Sequence, residues 1–219
     1  MENGELNMKK IVTVCMISAM FLAGCTTLEY KENMEKGNAA LEKKNYEAAA
    51  KAFSSAVQLK PEKEEAQALL NETIDALKEQ ESIEKYVKEI RGLSLKMSEI
   101  SQSWDELRNS LSTGQIDDVF LDATVYDKII PATTDLRQQA SAIKPPNDEA
   151  AEINTLFIST IQKQQQAFLE IILRINTADT SKITRTDEML NEVSISGKEM
   201  NVKLDSLVEE YNIDVSDAN

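Results

Sequence analysis

The 219-residue sequence contains no histidine. That removes the side chain that most often serves as a general base near neutral pH and as a transition-metal ligand. Cysteine is almost as scarce. The only two thiols, Cys15 and Cys25, both lie near the start, which leaves no disulfide framework and no cysteine-rich metal motif. Four prolines and six glycines are too few for a turn-rich β-sandwich or a disordered linker protein. Aromatic residues make up 5%, so a core must be built mainly from Leu, Ile, Val, Met and Ala. No glycine-rich phosphate loop exists, because Gly92, Gly114 and Gly197 stand isolated. Positive charge is short as well: 24 Lys and Arg face 38 Asp and Glu, a net charge of −14. Such a surface repels a phosphate backbone, which argues against nucleic-acid binding. It also repels anionic headgroups, so a basic patch cannot hold the chain on a membrane.

The residues that are plentiful are good helix formers: Glu, Lys, Ala, Leu and Gln dominate the middle of the chain. Before them comes a processing signal. Lys9 and Lys10 form a positive start after Met8, the expected initiator, and Ile11 to Ala23 form an apolar run of 13 residues. A membrane-spanning helix needs about 20. The run ends in Leu22-Ala23-Gly24-Cys25, which resembles the lipobox of bacterial lipoproteins. The resemblance implies that residues 1–24 are a signal peptide, cut between Gly24 and Cys25. It further implies that the Cys25 thiol takes up a diacylglyceryl group. Lipid on Cys25 would be the contact with the membrane and would place the chain in the cell envelope, on the outer face of the cytoplasmic membrane. Two or three acyl chains anchor stably, at about 0.8 kcal/mol per buried CH₂. The signal segment carries two acidic and two basic residues, so its removal leaves the charge unchanged. Residues 25–29 are expected as a lipidated tether reaching roughly 17 Å when extended.

Residues 30–80 are expected to form a helical hairpin with a capping helix. The stretch from Gly37 to Pro61, with Tyr46, Ala49, Phe53 and Ala56 between, resembles one tetratricopeptide repeat of 34 residues. Gly37 and Ala49 are small where two helices would cross closely. Tyr46 opens the second helix after a turn at Lys44-Asn45, and Pro61 stops it. Ala40 departs from the family, which usually has a larger aromatic there. In that family ligand contacts come from the first helix, and Lys31, Met34, Asn38 and Leu41 occupy the corresponding positions. A single repeat cannot bury its own face, so the hairpin is expected to pack against the rest of the chain or a protein partner.

From Ser82 the apolar period stays near 3.6, the signature of amphipathic helices. Residues 82–211 read as an antiparallel four-helix bundle, making the fold class all-α. Its helices are expected to begin at Ser82, to break at Gly114, to stop at Lys144-Pro145-Pro146, and to turn again over Asn176 to Ser181. Pro131 should kink or divide the second. Gln162, Gln164, Gln165 and Gln166 are expected on the wet face of the third. Residues 212–219 read as a frayed acidic tail. The Pro-Pro loop loosely resembles four-helix domains of Gram-positive surface lipoproteins.

Catalytic groups are missing: no histidine activates a serine, and a lipidated Cys25 is no nucleophile. The acidic pairs Asp117-Asp118 and Glu209-Glu210 read as solvated helix ends. The expectation is therefore a lipid-anchored, non-enzymatic lipoprotein without metal or cofactor, acting as a protein-binding or scaffold module. The alternative is a lipoprotein that binds a small molecule or cell-wall polymer in a cavity of the bundle.

Overall fold

The computed structural model describes residues 26–177 and 181–214, and these are helices joined by short turns. Helix α1 covers residues 26–42. It is followed by α2 (Tyr46–Leu59), α3 (Glu64–Ser112), α4 (Asp118–Thr124), a π-helical turn (Val125–Ile129), α5 (Ile130–Ala142), α6 (Asp148–Thr177) and α7 (Ser181–Glu210). Among the described residues no helix is long and apolar enough to cross a membrane. Contacts divide the chain into two units, one ending at Gln80 and the other opening at Glu81. The signal peptide with Met8, the cleavage pair Gly24 and Cys25, and residues 215–219 lie outside the described residues.

In the first unit α1, α2 and the start of α3 enclose a small core of Met34, Ala49, Phe53, Ala56 and Ala66, with Tyr30, Leu41, Leu69 and Leu70 packed against it. Gly37 is placed by sterics. A Cβ there would stand 2.6 Å from Cζ of Phe53, far inside van der Waals contact, so only glycine lets the Phe53 ring lie against α1. Two local devices set the α1–α2 turn. Lys44 adopts a left-handed φ of 52°. The N–H of Asn45 returns to Ala40 O (2.9 Å) and that of Lys44 to Leu41 O (2.8 Å), the paired bonds of a Schellman end. Asn45 then caps α2, its side chain accepting from Ala48 N–H at 3.1 Å.

The second unit has a single core running through Ile83, Val87, Ile90 and Trp104 of α3, Leu136 of α5, Phe157, Ile161 and Phe168 of α6, and Met200 and Leu204 of α7. Ion pairs Lys163–Glu192 and Lys203–Glu152 step in opposite directions along α6 and α7, so these helices run antiparallel. The Tyr86 hydroxyl donates to Ala150 O at 2.8 Å, and burial pushes its phenol well above the ordinary tyrosine range. Gly114 closes α3 with φ 72°. Asn147 caps α6, accepting from Ala150 N–H at 2.9 Å.

Several expectations are corrected. Residues 26–29, expected as an extended tether, belong to α1. At a helical rise of about 1.5 Å per residue, four residues advance only ~6 Å. The capping helix and the first bundle helix are one continuous helix, Glu64–Ser112; no proline or glycine stands between Gln80 and Ser82 to end it. The helix around Pro131 is divided, as one of the two expected outcomes had it, and the division takes the form of a π turn just before the proline. Pro131 has no N–H to offer Asp127 O, and its ring crowds that carbonyl, so a widened turn relieves the clash. The Thr133 hydroxyl, fully buried, donates to Ile129 O (3.0 Å) or Ile130 O (2.9 Å) and covers carbonyls of this irregular turn. The tail does not fray at once. Asn212 takes φ 49°, Ile213 N–H returns to Val208 O at 3.0 Å, and the Ile213 side chain joins the core.

Candidate functional site

The second unit carries a cavity of about 440 Å³ between α3, α6 and α7. Its depth is formed by Trp104, Gln164, Phe168, Val193 and Met200, all buried, and its mouth by the exposed residues Ser98, Asp105, Ser194 and Asn201. The volume falls within the range of about 300–1,000 Å³ typical of small-molecule sites. Helical spacing explains the lining. Ser94, Met97, Ser101, Trp104 and Asp105 follow one another on one face of α3 at steps of three and four or at neighbouring positions. On α7, Leu190, Val193, Gly197 and Met200 do the same.

Polar groups converge in this apolar setting. Gln164, 1% exposed, donates through Nε2 to Ser101 Oγ at 2.7 Å, and Ser101 Oγ in turn donates to Met97 O at 3.1 Å. This chain fixes the amide orientation and leaves Gln164 Oε1 with no hydrogen-bond partner among the described residues. Trp104 Nε1 is buried and equally unpartnered. Two residues that line the cavity thus each hold a buried polar atom without a partner, one an acceptor and one a donor. Each such group typically costs about 1–3 kcal/mol until something bonds to it. The Trp104 ring is held by Phe168, their centroids 5.3 Å apart and tilted by 44°.

Gly197 adds a second feature. It lies inside α7 and lines the cavity, and a Cβ built on it meets nothing within 4 Å. A glycine inside a helix costs roughly 0.5–1 kcal/mol relative to alanine. No close packing requires it, and its lack of a side chain leaves the cavity open on that side.

The cavity is built of residues that sequence reading either missed or explained differently. Trp104 is a core residue, as its place in the apolar stripe implies, and also lines the cavity. Gln164 is not on a wet face: Gln162 and Gln166 are exposed, but Gln164 is buried and Gln165 half-buried. The signal was available, since Phe157, Ile161, Gln164 and Phe168 keep the three-four spacing of a core stripe. Gln165 also turns inward, donating to Thr134 Oγ1 at 2.7 Å.

Of the positions expected for partner contacts on α1, Lys31 and Asn38 are exposed. Met34 is buried and Leu41 half-buried. Met34 belongs to the hairpin core and Leu41 packs against it, because α2 covers that side of α1. The residues near the expected anchor are tied down. Lys60 Nζ donates to Thr27 Oγ1 at 3.0 Å and stands 5.6 Å from the centre of the Tyr30 ring. The Tyr30 phenol is raised above its ordinary value by burial first and then by Glu65 and Glu62. Among the described residues no group of three or more acidic or thiol side chains gathers as a metal cluster would. No family model, curated protein or solved structure matches this chain.

Proposed function

We propose that this chain is a lipid-anchored lipoprotein of the cell envelope that binds a small molecule in the helical domain without transforming it. The Trp104–Gln164 cavity carries the binding half of this reading: an apolar hollow of suitable size, two of whose lining residues each hold a buried polar atom without a partner. The lipobox-like Leu22-Ala23-Gly24-Cys25 supports the anchor. The absence of histidine supports a binding role over an acid–base enzyme, because among the described residues the cavity wall offers hydroxyls, amides and one carboxylate, that of Asp105.

The test compares thermal unfolding of the mature chain with that of Gly197→Leu, in the presence of the small-molecule fraction of an envelope extract. Leucine is a better helix former than glycine and has open space to enter at that position. The extract should raise the melting temperature of the unaltered protein and leave that of the variant unmoved. Equal shifts, or none in either, would refute a ligand site in the cavity.

A second reading, a protein-binding scaffold, is favoured by one observation. Lys31 and Asn38 are seven residues apart on α1 and both exposed, which puts them on one face of the hairpin. In-cell crosslinking from position 38 should then capture one reproducible protein partner. A scatter of products matching the abundance of envelope proteins would dismiss this role.

A further inference from the structure

Charge and hydrogen-bonding capacity narrow the chemistry of a ligand for the Trp104 cavity. This step rests on the reading of the cavity as a binding site. Asp105 is the only charged residue among the described residues lining it, and it is exposed at the mouth. Among the described residues no lysine or arginine lines the cavity, so a carboxylate or phosphate would meet no counter-charge from them, inside a protein whose net charge is −14. Burial of an uncompensated anion is strongly unfavourable. A cation finds Asp105 only at the rim, where water screens it.

The two unsatisfied atoms complete the specification. Indole Nε1–H can only donate, and Gln164 Oε1 can only accept. A carboxylate provides acceptors alone and an ammonium donors alone, so each would leave one of the pair unmet. An uncharged carboxamide or hydroxyl offers both functions. The flanking surfaces of Met97, Leu190 and Met200 suit an apolar portion beside that group. Their flexible side chains can repack around it. Because the two polar atoms are closed to water, a ligand that bonds to them requires the wall of the cavity to repack as it enters.

We propose that the cavity binds an uncharged ligand presenting a hydrogen-bond acceptor to Trp104 Nε1 and a donor to Gln164 Oε1, next to an apolar group. N-acetylated sugars and short uncharged peptides share this chemistry.

Trp104 is the only tryptophan in the chain, so its emission reports directly from the cavity. The mature protein is titrated with N,N′-diacetylchitobiose, N-acetyl-leucine methylamide, glucose 6-phosphate and choline. At least one of the two uncharged amides should shift the emission saturably, at concentrations ten-fold or more below those needed by the anion or the cation; the one that does identifies the source. Equal or tighter binding of glucose 6-phosphate or choline overturns the proposal. So does silence from both amides. If silence coincides with a Gly197-dependent shift by the envelope extract, the ligand class is wrong and the site itself stands.

Gln164→Leu provides a separate check, because it removes the unmet acceptor from a buried position. Affinity for the active amide should fall at least ten-fold while the melting temperature of the free protein holds or rises. Undiminished affinity in that variant also overturns the proposal.

Discussion

Tyr86 shows how a single buried side chain links structure to pH. It is 2% exposed and donates to the carbonyl of Ala150. Burial raises its phenol above the ordinary value near 10. In the unfolded chain the phenol ionises at that ordinary value, whereas in the fold it stays neutral. The stabilising contribution is therefore fully present below about pH 10 and is lost as pH rises from there toward the folded value. Tyr86→Phe should destabilise by about 1 kcal/mol at neutral pH, the net worth of one hydrogen bond. It should also unfold less steeply above pH 10 than the unaltered protein, as measured by urea titration at stepped pH. Parallel alkaline profiles would show that Tyr86 is not the group responsible. Gly37 makes the steric counterpart. Gly37→Ala drives a methyl into the Phe53 ring and should cost about 1–3 kcal/mol, as overpacking does, read as a lower urea midpoint. An unchanged midpoint would mean that α1 and α2 are free to separate.

At the level of helices, ends and register carry most of the information, and the sequence discloses them unevenly. Gly114 and Asn147 announce their roles as helix stop and helix cap, since few other residues do those jobs as well. Lys44 and Asn212 take the same left-handed conformation as Gly114 without glycine to signal it. Lys44→Gly should accordingly stabilise the protein by roughly 0.5–1 kcal/mol, the conformational penalty relieved less the entropy glycine adds to the unfolded chain. Differential scanning calorimetry would show a higher melting temperature; a lower one would mean that Lys44 contributes contacts beyond its backbone. The π turn before Pro131 was legible only as a disturbance. Proline marks where a helical bond is lost, but the choice between a kink and a widened turn depends on neighbours such as Thr133, whose hydroxyl serves the displaced carbonyls. The long helix through Gln80 and Ser82 was obscured for the opposite reason: a change in apolar pattern looks like a boundary even when nothing interrupts the backbone.

For the molecule as a whole, the all-α class follows from composition and period, and the structure has it. The cavity was not legible, because it arises where side chains of three helices fail to fill the space between them. A stripe of Ser94, Ser101 and Gly197 reads in sequence as ordinary small residues, and Gln164 as one glutamine in a glutamine-rich turn. Only tertiary packing brings Gln164 and Trp104 to one cavity and leaves Gln164 Oε1 and Trp104 Nε1 buried without partners. The proposed anchor is the reverse case: everything that supports it lies in the linear pattern around Cys25. With residues 26–29 already helical, an acyl group on that cysteine would leave little slack between bilayer and fold. Labelling cells with a clickable palmitate analogue, followed by fractionation, addresses this most directly. The unaltered protein should take up label and sediment with membranes, while Cys25→Ser should lose the label and persist as a longer, uncut precursor. Equal labelling of the two proteins, or an unlabelled native protein in the cytosol, would contradict a lipoprotein of the envelope.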